Sequence, residues 1–426
     1  MKIEFHGAGQ EVGRSCIEIN DEILLDAGIK VGEIVEYPDN IAREKDSFVD
    51  YPSKVDLPKI KAVFISHAHL DHSGALPLFD HFGLNCPIFC TLGTKETAYI
   101  LLKDALKIAK FKEKNVAYSE YEIERVDMLM KNVKIHDEGT VDKYKYKFFD
   151  AGHIPGSSSI LLEFDGKKLL YTGDINTTPT QLLTGAEEMP HADIMICEST
   201  YGDREHTPRV ETENAFLDKV SDIIGRGGSA MIAVFAVGRA QEVIMLLNKR
   251  KFGVPIYLDG MSKRVTNTYL EATYTLRNHE MLLDAVRGVK FVEHDRRKVM
   301  KQQGIFVTTS GMVTGGPIID YLNNLKDDPK NGLILTGYQA KDSQGRQVME
   351  TGRVTLEGKT SKVACSVDFF DFSAHAGRAQ LVNLIKQVNP DILILNHGDA
   401  EAINSLASEF PDKKVFKPKT GDVIEI

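Results

Sequence analysis

The chain has 426 residues, 42% apolar and 27% charged, with a net charge of −9 and five cysteines. That length holds two or three domains with ample cores. No run approaches the ~18 apolar residues of a membrane helix. The acidic balance argues against a generic nucleic-acid coat, and an odd cysteine count with no Cys-x-x-Cys argues against a disulfide framework or a Cys₄ zinc site. Met1-Lys-Ile-Glu-Phe-His enters a strand directly, so no secretory leader is expected, and the expected location is cytoplasmic.

In chain order, strands are predicted at 2–6, 16–19 and 23–26, with a long Pro-containing surface loop over 29–58. A strand at 62–65 leads into a short helix ending near Phe82. Helical spacing of apolar residues predicts helices over 94–111 and 119–131. Strands return at 133–136, 144–150, 159–164, 168–173 and 194–197, with a hairpin turn at Asp165-Gly166. After about residue 203 helices and strands alternate: helix 211–224, strand 229–234, helix 238–250, strand 255–258, helix 262–278, strand 305–309, helix 316–325, strand 332–336. This alternation implies a second, mostly parallel sheet. Strands near 353–357 and 362–367, helix 376–388, strand 391–395 and helix 399–409 repeat the style of the first 200 residues. The organisation expected is an outer α/β domain over 1–203, completed by 356–426, with a domain inserted over 204–355. The segment 204–350 carries 21 Lys/Arg against 17 Asp/Glu, so the middle is locally basic in an acidic chain.

The chemistry concentrates in Val63-Phe-Ile-Ser-His-Ala-His-Leu-Asp-His-Ser-Gly-Ala-Leu-Pro77. An extended chain points residues i and i+2 to one side, so His67 and His69 can grip one ion. A turn into a helix then aims Asp71 and His72 at a second position. Imidazole with carboxylate suits Zn²⁺ and its first-row neighbours. The alternative is a solvated loop that happens to be His-rich, and it does not explain three of thirteen histidines within six residues.

A two-metal site needs more ligands, and strand ends offer them. Asp26 ends Ile23-Leu-Leu-Asp; His153 lies in Asp150-Ala-Gly-His-Ile-Pro-Gly; Asp174 ends Leu169-Leu-Tyr-Thr-Gly-Asp; His397 ends Leu393-Ile-Leu-Asn-His. Each alone reads as a cap or loop residue. The recurrence of apolar strand, His or Asp, and Gly marks the carboxyl edge of a sheet, where α/β sites collect. Asp174 is the best-placed bridging carboxylate. Two unassigned groups suit a proton donor held by a carboxylate: Glu198 in Glu-Ser-Thr-Tyr-Gly202, and His375 in Asp371-Phe-Ser-Ala-His-Ala-Gly377. Gly-rich turns after strands at Phe235–Arg239, Thr309–Pro317 and Gly337–Arg346 suit phosphate. Arg239, Ser310, Lys341, Arg346 and Ser373 are the candidate phosphate contacts. Ordinary β–α turns use Gly as well.

His67-x-His-x-Asp-His72, His153 and Asp174 resemble the signature of the metallo-β-lactamase fold, and Glu198, His375 and His397 resemble the three added motifs of its β-CASP nuclease branch. Within the branch, Ser66–Pro77, Phe372–Ala376, Ser310-Gly-Met and the Gly337-Tyr turn look like the cleavage and polyadenylation specificity factor (CPSF) nuclease, and in particular the shorter archaeal proteins without KH domains. The resemblance implies an αββα sandwich with an inserted α/β β-CASP domain, and substrate in the cleft between them. It implies one zinc ion on His67, His69, His153 and Asp174, and another on Asp71, His72, Asp174 and His397. Asp26 would orient ligands. His375 would be the general acid, oriented by Glu198, with Asp71 counted beside them in catalysis.

The activity implied is a zinc-dependent, CPSF-like endoribonuclease that leaves 5′-phosphate and 3′-hydroxyl ends. The rival activity is RNase J-like 5′→3′ exonuclease action, which requires a pocket for a 5′-monophosphate. A rival of another class is an inactive RNA-binding scaffold, which the filled ligand positions disfavour. A small-molecule hydrolase would leave Glu198, His375 and the insertion without a purpose. The expected partner is single-stranded RNA, with a homodimer and other RNA-processing proteins compatible and a membrane not.

Overall fold

The structure is a computed structural model that describes residues 1–30, 41–43, 50–52, 56–111, 116–271, 276–293, 295–340, 343–356 and 358–426. Most of the surface loop expected over 29–58 lies outside these residues; of it, a short antiparallel pair, Ile41–Arg43 with Asp50–Pro52, is described. Two compact units emerge. The first comprises Met1–Thr178, Gly185–Glu205 and Ala374–Ile426, and the second Pro179–Thr184 and His206–Ser373.

The first unit contains two seven-stranded sheets. One runs in the order Val423–Glu425, Lys2–Phe5, Ile17–Ile19, Ile23–Leu25, Ala62–Phe64, Ile88–Cys90, Met130–Asn132. The other runs Lys414–Phe416, Ile392–Asn396, Ile194–Glu198, Lys167–Tyr171, Ser158–Phe164, Tyr144–Asp150, Glu138–Val141. Alternation along each strand sends one set of side chains inward. Ile3, Phe5, Ile17, Ile19, Leu25 and Phe64 of the first sheet pack against Phe148, Ile160, Leu162, Leu169, Ile196 and Ile394 of the second. The opposite residues of the second sheet, Leu161, Leu170, Met195 and Leu393, pack against Leu381, Leu384 and Ile385 of helix Arg378–Val388 and Ile403 of helix Ala400–Ala407. Each such buried aliphatic side chain contributes roughly 1.5–3 kcal/mol. Sheet on sheet with helices outside is the sandwich that the sequence predicts.

Three neighbouring strands of the second sheet, Lys167–Tyr171, Ile194–Glu198 and Ile392–Asn396, are mutually parallel. Tyr144–Asp150 points the same way, because two antiparallel pairings separate it from Lys167–Tyr171. In the first sheet Ile23–Leu25 and Ala62–Phe64 are parallel. Parallel strands end on one side, so Asp26, His67, His153, Asp174, Glu198 and His397 arrive together.

The second unit has a six-stranded, wholly parallel sheet ordered Val289–Phe291, Ile256–Asp259, Ile305–Thr308, Ala230–Ala233, Gly332–Leu335, Ser366–Phe369. The central strands are buried throughout, as helix-covered parallel strands must be.

Three details depart from the expectation. Strand 366–369 pairs with Gly332–Leu335, and Val354 and Leu356 join the core that holds Phe306 and Leu333. The return to the first unit therefore falls at Ala374, not at 356. The helix expected over 262–278 is described over Ser262–Glu271 and does not extend through 276–278, after which a separate helix, His279–Arg287, leads to strand Val289–Phe291. The strand expected at 133–136 lies at Met130–Asn132, where Ile88–Cys90 offers it a parallel partner. No helix among the described residues is long and apolar enough to cross a membrane.

Candidate metal centre

The strand Ala62–Phe64 delivers Ser66 and His67, and His69 caps the four-residue helix Leu70–Ser73 that carries Asp71 and His72. His67 Nε2 and His153 Nε2 each stand 3.1 Å from His69 Nδ1. Both Nε2 atoms are 3.6 Å from Asp174 Oδ2. On the other side of the same carboxylate, Asp174 Oδ1 lies 3.3 Å from His72 Nε2 and 3.2 Å from His397 Nδ1. Asp71 Oδ2 is 4.0 Å from His72 Nε2 and 3.7 Å from His397 Nε2. The seven side chains thus form two four-residue clusters that share Asp174, one oxygen facing each.

The donor set fits metal ions. Tetrahedral coordination at ~2.0–2.1 Å places neighbouring ligand atoms about 3.3–3.4 Å apart, near the spacings seen. His72 Nε2 and Asp174 Oδ1 are buried and lack hydrogen-bond partners, a costly arrangement for two polar atoms that an ion between them would relieve. Burial, reinforced by neighbouring imidazoles, holds His67 and His153 well below the ordinary histidine value, and burial lowers His69 too. Their lone pairs are therefore available at neutral pH. Burial works to raise Asp71 and Asp174, but the surrounding histidines outweigh it and keep both carboxyls low and ionised.

Supporting contacts set the rings. Asp26 is fully buried and accepts from Ser66 N–H at 2.7 Å, Ser66 Oγ at 2.8 Å and Tyr171 OH at 2.6 Å, and holds His72 Nδ1 at 2.6 Å. His153 Nδ1 lies 2.7 Å from the Ala374 carbonyl, which fixes Nε2 as the atom turned toward Asp174. Asp26 and His397 both have positive φ, +62° and +49°, an uncommon backbone choice that clusters at functional sites. Gly173, also at positive φ, lets the chain pass Ser66 so closely that a Cβ would sit 2.6 Å from the Ser66 Cβ.

Beside the clusters, His375 Nδ1 lies 3.0 and 3.1 Å from the two oxygens of Glu198, a carboxylate that is 1% exposed and also accepts from Ile175 N–H at 2.8 Å. His375 Nε2 points to Asp174 Oδ2 at 3.9 Å. Burial alone would lower this imidazole; the charges of Glu198 and Asp174 outweigh it and raise it to about 9.

All five phosphate candidates fall within the span of the second unit. Arg239 is 8% exposed against Phe372 and Glu242, and its charge acts on Asp371, which also accepts from Ser373 N–H. Ser310 Oγ is engaged with Gly315 O and Thr314 N–H, and exposed Arg346 pairs with Glu350 at 2.5 Å. Lys341 lies outside the described residues. Sequence reasoning missed Ser66 and Tyr171 as holders of Asp26. Ser66 was visible inside the histidine cluster. Tyr171 was visible only as one more apolar-face residue of its strand.

Three domain families match in succession. The Beta-lactamase superfamily domain matches residues 22–224, the Beta-Casp domain 240–348, and the Zn-dependent metallo-hydrolase RNA specificity domain 360–418. Probable RNase MJ4 of Methanocaldococcus jannaschii is 41% identical over the whole of both chains. The chain belongs to the β-CASP branch of the metallo-β-lactamase superfamily. RNase aCSPSF2 of Saccharolobus solfataricus is 33% identical over 99% of this chain and 84% of its own. A crystal structure of a protein of unknown function from Enterococcus faecalis V583 shares the fold, with a TM-score of 0.63 at 16% identity, covering 100% of this β-CASP chain and 99% of that one. The clusters around Asp174 are therefore two groups of side chains in a β-CASP protein that could hold metal ions.

Proposed function

We propose that this β-CASP protein cuts single-stranded RNA within the strand, using two zinc ions per chain. That it is a metal-dependent ribonuclease follows from its family and from RNases similar to it over their whole length. One ion would be held by His67, His69, His153 and Asp174, and the other by Asp71, His72, Asp174 and His397. When bound, such a pair supplies Lewis acidity and activates water at neutral pH.

The chain's own residues do the rest. Asp174 sets the two positions through its separate oxygens. Asp26 holds the His72 ring so that Nε2 turns to the centre. Asp71, whose side chain is 30% exposed and the most open carboxylate of the set, is placed to orient the attacking water. As the new P–O bond forms, the bond to the 3′ oxygen breaks. His375 Nε2, charged and directed at the centre, gives its proton to that oxygen. Glu198 keeps Nδ1 engaged, so Nε2 is the donor. The products are a 5′-phosphate and a 3′-hydroxyl.

The observation that carries this reading is the single relationship of Asp174 to both clusters and to His375. Internal cutting is supported by the likeness of Ser66–Pro77 and Phe372–Ala376 to the CPSF nuclease. The test compares a circular RNA with the same RNA linear and 5′-labelled. Internal cutting opens the circle and gives fragments of many lengths. Mononucleotides released only from a 5′-monophosphorylated linear strand, with the circle intact, would instead establish 5′→3′ exonuclease action.

A further inference from the structure

The centre as read leaves one cation beside it without a task. Arg204 closes Glu198-Ser-Thr-Tyr-Gly-Asp-Arg and is exposed. Its guanidinium carbon lies 4.5 Å from the centroid of the Tyr201 ring. That ring is 3% exposed and meets the His375 imidazole at 5.9 Å between centroids, with the planes 71° apart. Guanidinium, phenol and imidazole therefore share one wall of the site.

The backbone that carries this wall is pinned. Arg204 O accepts from Arg378 N–H at 3.0 Å, and Glu205 Oε1 accepts from Ala379 N–H at 2.8 Å. Both donors open helix Arg378–Val388, just after His375. Nearby Arg378 is taken by Glu409. Among the described residues no carboxylate stands within 4.0 Å of the Arg204 guanidinium. Stacking on an aromatic face orients a guanidinium while leaving its N–H edge open, and that planar fork matches phosphate.

We infer that Arg204 grips the RNA phosphate next to the scissile one, on the 5′ side of the cut. The inference rests on the reading of His375 as proton donor. The donor faces the 3′ oxygen that leaves, so the nucleotide bearing that oxygen lies along the His375 side. The next anion in that direction is this nucleotide's own 5′-phosphate, and Arg204 is a cation there with no carboxylate within 4.0 Å among the described residues. In a chain with a net charge of −9, a lone arginine beside the acid also favours approach of a polyanion.

The test is a cycle between protein and substrate. Wild type and Arg204→Ala are assayed on one RNA in three forms: all-phosphate, with a single uncharged methylphosphonate one nucleotide 5′ of the cut, and with the same group one nucleotide 3′ of it. On all-phosphate RNA, Arg204→Ala should raise KM about ten- to a hundredfold with kcat little changed, the effect of losing one charge-assisted contact. The slope of log affinity against log salt should fall by about 0.7. Arg204→Lys should recover part of the loss, because it keeps the charge without the fork. With the 5′-side methylphosphonate, wild type should fall to the level of the variant, and the variant should fall no further. Losses that add at the 5′ side, coupling at the 3′ side, or an unchanged KM would overturn the assignment.

Equilibrium binding of the three RNAs in a His375→Ala background repeats the comparison without cleavage. RNA cut by wild type and bound equally with and without Arg204 refutes Arg204 alone. A metal-loaded wild type that neither cuts nor binds RNA refutes the ribonuclease reading, and this one with it.

Discussion

His375, half-buried, and Glu198, buried, form an imidazole–carboxylate pair, Nδ1 to Oε1 at 3.0 Å, and the far nitrogen of the imidazole looks toward Asp174. The pair joins residues 177 positions apart, from a strand end and from the approach to a helix. The carboxylate fixes which nitrogen can give up a proton. It also raises the imidazole, and removing its charge weakens both effects.

Glu198→Gln should therefore lower RNA cleavage by about tenfold while both metals stay bound. The amide keeps the shape and one hydrogen-bond acceptor but not the charge. His375→Ala removes the donor itself and should cost more, ~10²–10⁴-fold. Single-turnover rates beside metal content check this. Equal losses for the two variants, or loss of metal from Glu198→Gln, would contradict it.

Metal content tests the shared carboxylate. The protein, reconstituted with zinc and passed through a desalting column, should carry two ions per chain. Asp174→Ala should carry neither tightly, because both clusters lose a ligand. His397→Ala should lose one and keep the other, since the cluster of His67, His69, His153 and Asp174 does not use it. Elemental analysis and native mass spectrometry read the count directly. One ion in the wild type, or one retained by Asp174→Ala with wild-type affinity, would contradict the arrangement.

Asp26 makes its prediction on stability as well as affinity. Asp26→Ala strands the Ser66 N–H in a buried site, leaves the Tyr171 OH with only Ser15 Oγ as partner, and frees the His72 ring. The stranded N–H costs about 1–3 kcal/mol, and loss of the orienting carboxylate should weaken metal binding about 10–100-fold. Tyr171→Phe removes one hydrogen bond to Asp26 and should cost about 1 kcal/mol with a smaller change in affinity. Thermal unfolding with and without zinc, together with competition against a chelator, separates the two effects. A zinc affinity unchanged in Asp26→Ala would show that the His72 ring needs no such support.

Much of this centre was legible because its residue types are rare at the ends of apolar strands. Three histidines within six residues, and His or Asp after strand after strand, are a strong signal without any coordinates. The family resemblance names Asp26 as a residue that orients ligands, but what holds Asp26 was not legible. Tyr171 sits where alternation makes it one more inward-facing residue, and only the fold brings its hydroxyl to Asp26. The limits of the inserted unit were missed for a similar reason. Ser366–Phe369 reads as a strand in either unit, and its membership is decided by pairing with Gly332–Leu335, more than thirty positions earlier. Met130 and Lys131 were absorbed into a predicted helix because local pattern gives no sign of the parallel partner at Ile88–Cys90. The Gly-rich turns of the second unit carry a more general signal, because β–α turns use Gly with or without a phosphate to bind; Arg239, Ser310 and Arg346 have local partners there.

The division of labour between metal ligands and His375 is the centre of the account, and one substrate tests it most directly. An RNA whose scissile 3′ oxygen is replaced by sulfur has a leaving atom that needs little protonation. Cleavage of this RNA by His375→Ala should approach the wild-type rate, while His67→Ala, lacking a metal ligand, should remain slow on it. If sulfur gives His375→Ala no selective recovery, or if His375→Ala proves to have lost a metal ion, His375 is not the proton donor and the account fails at its core.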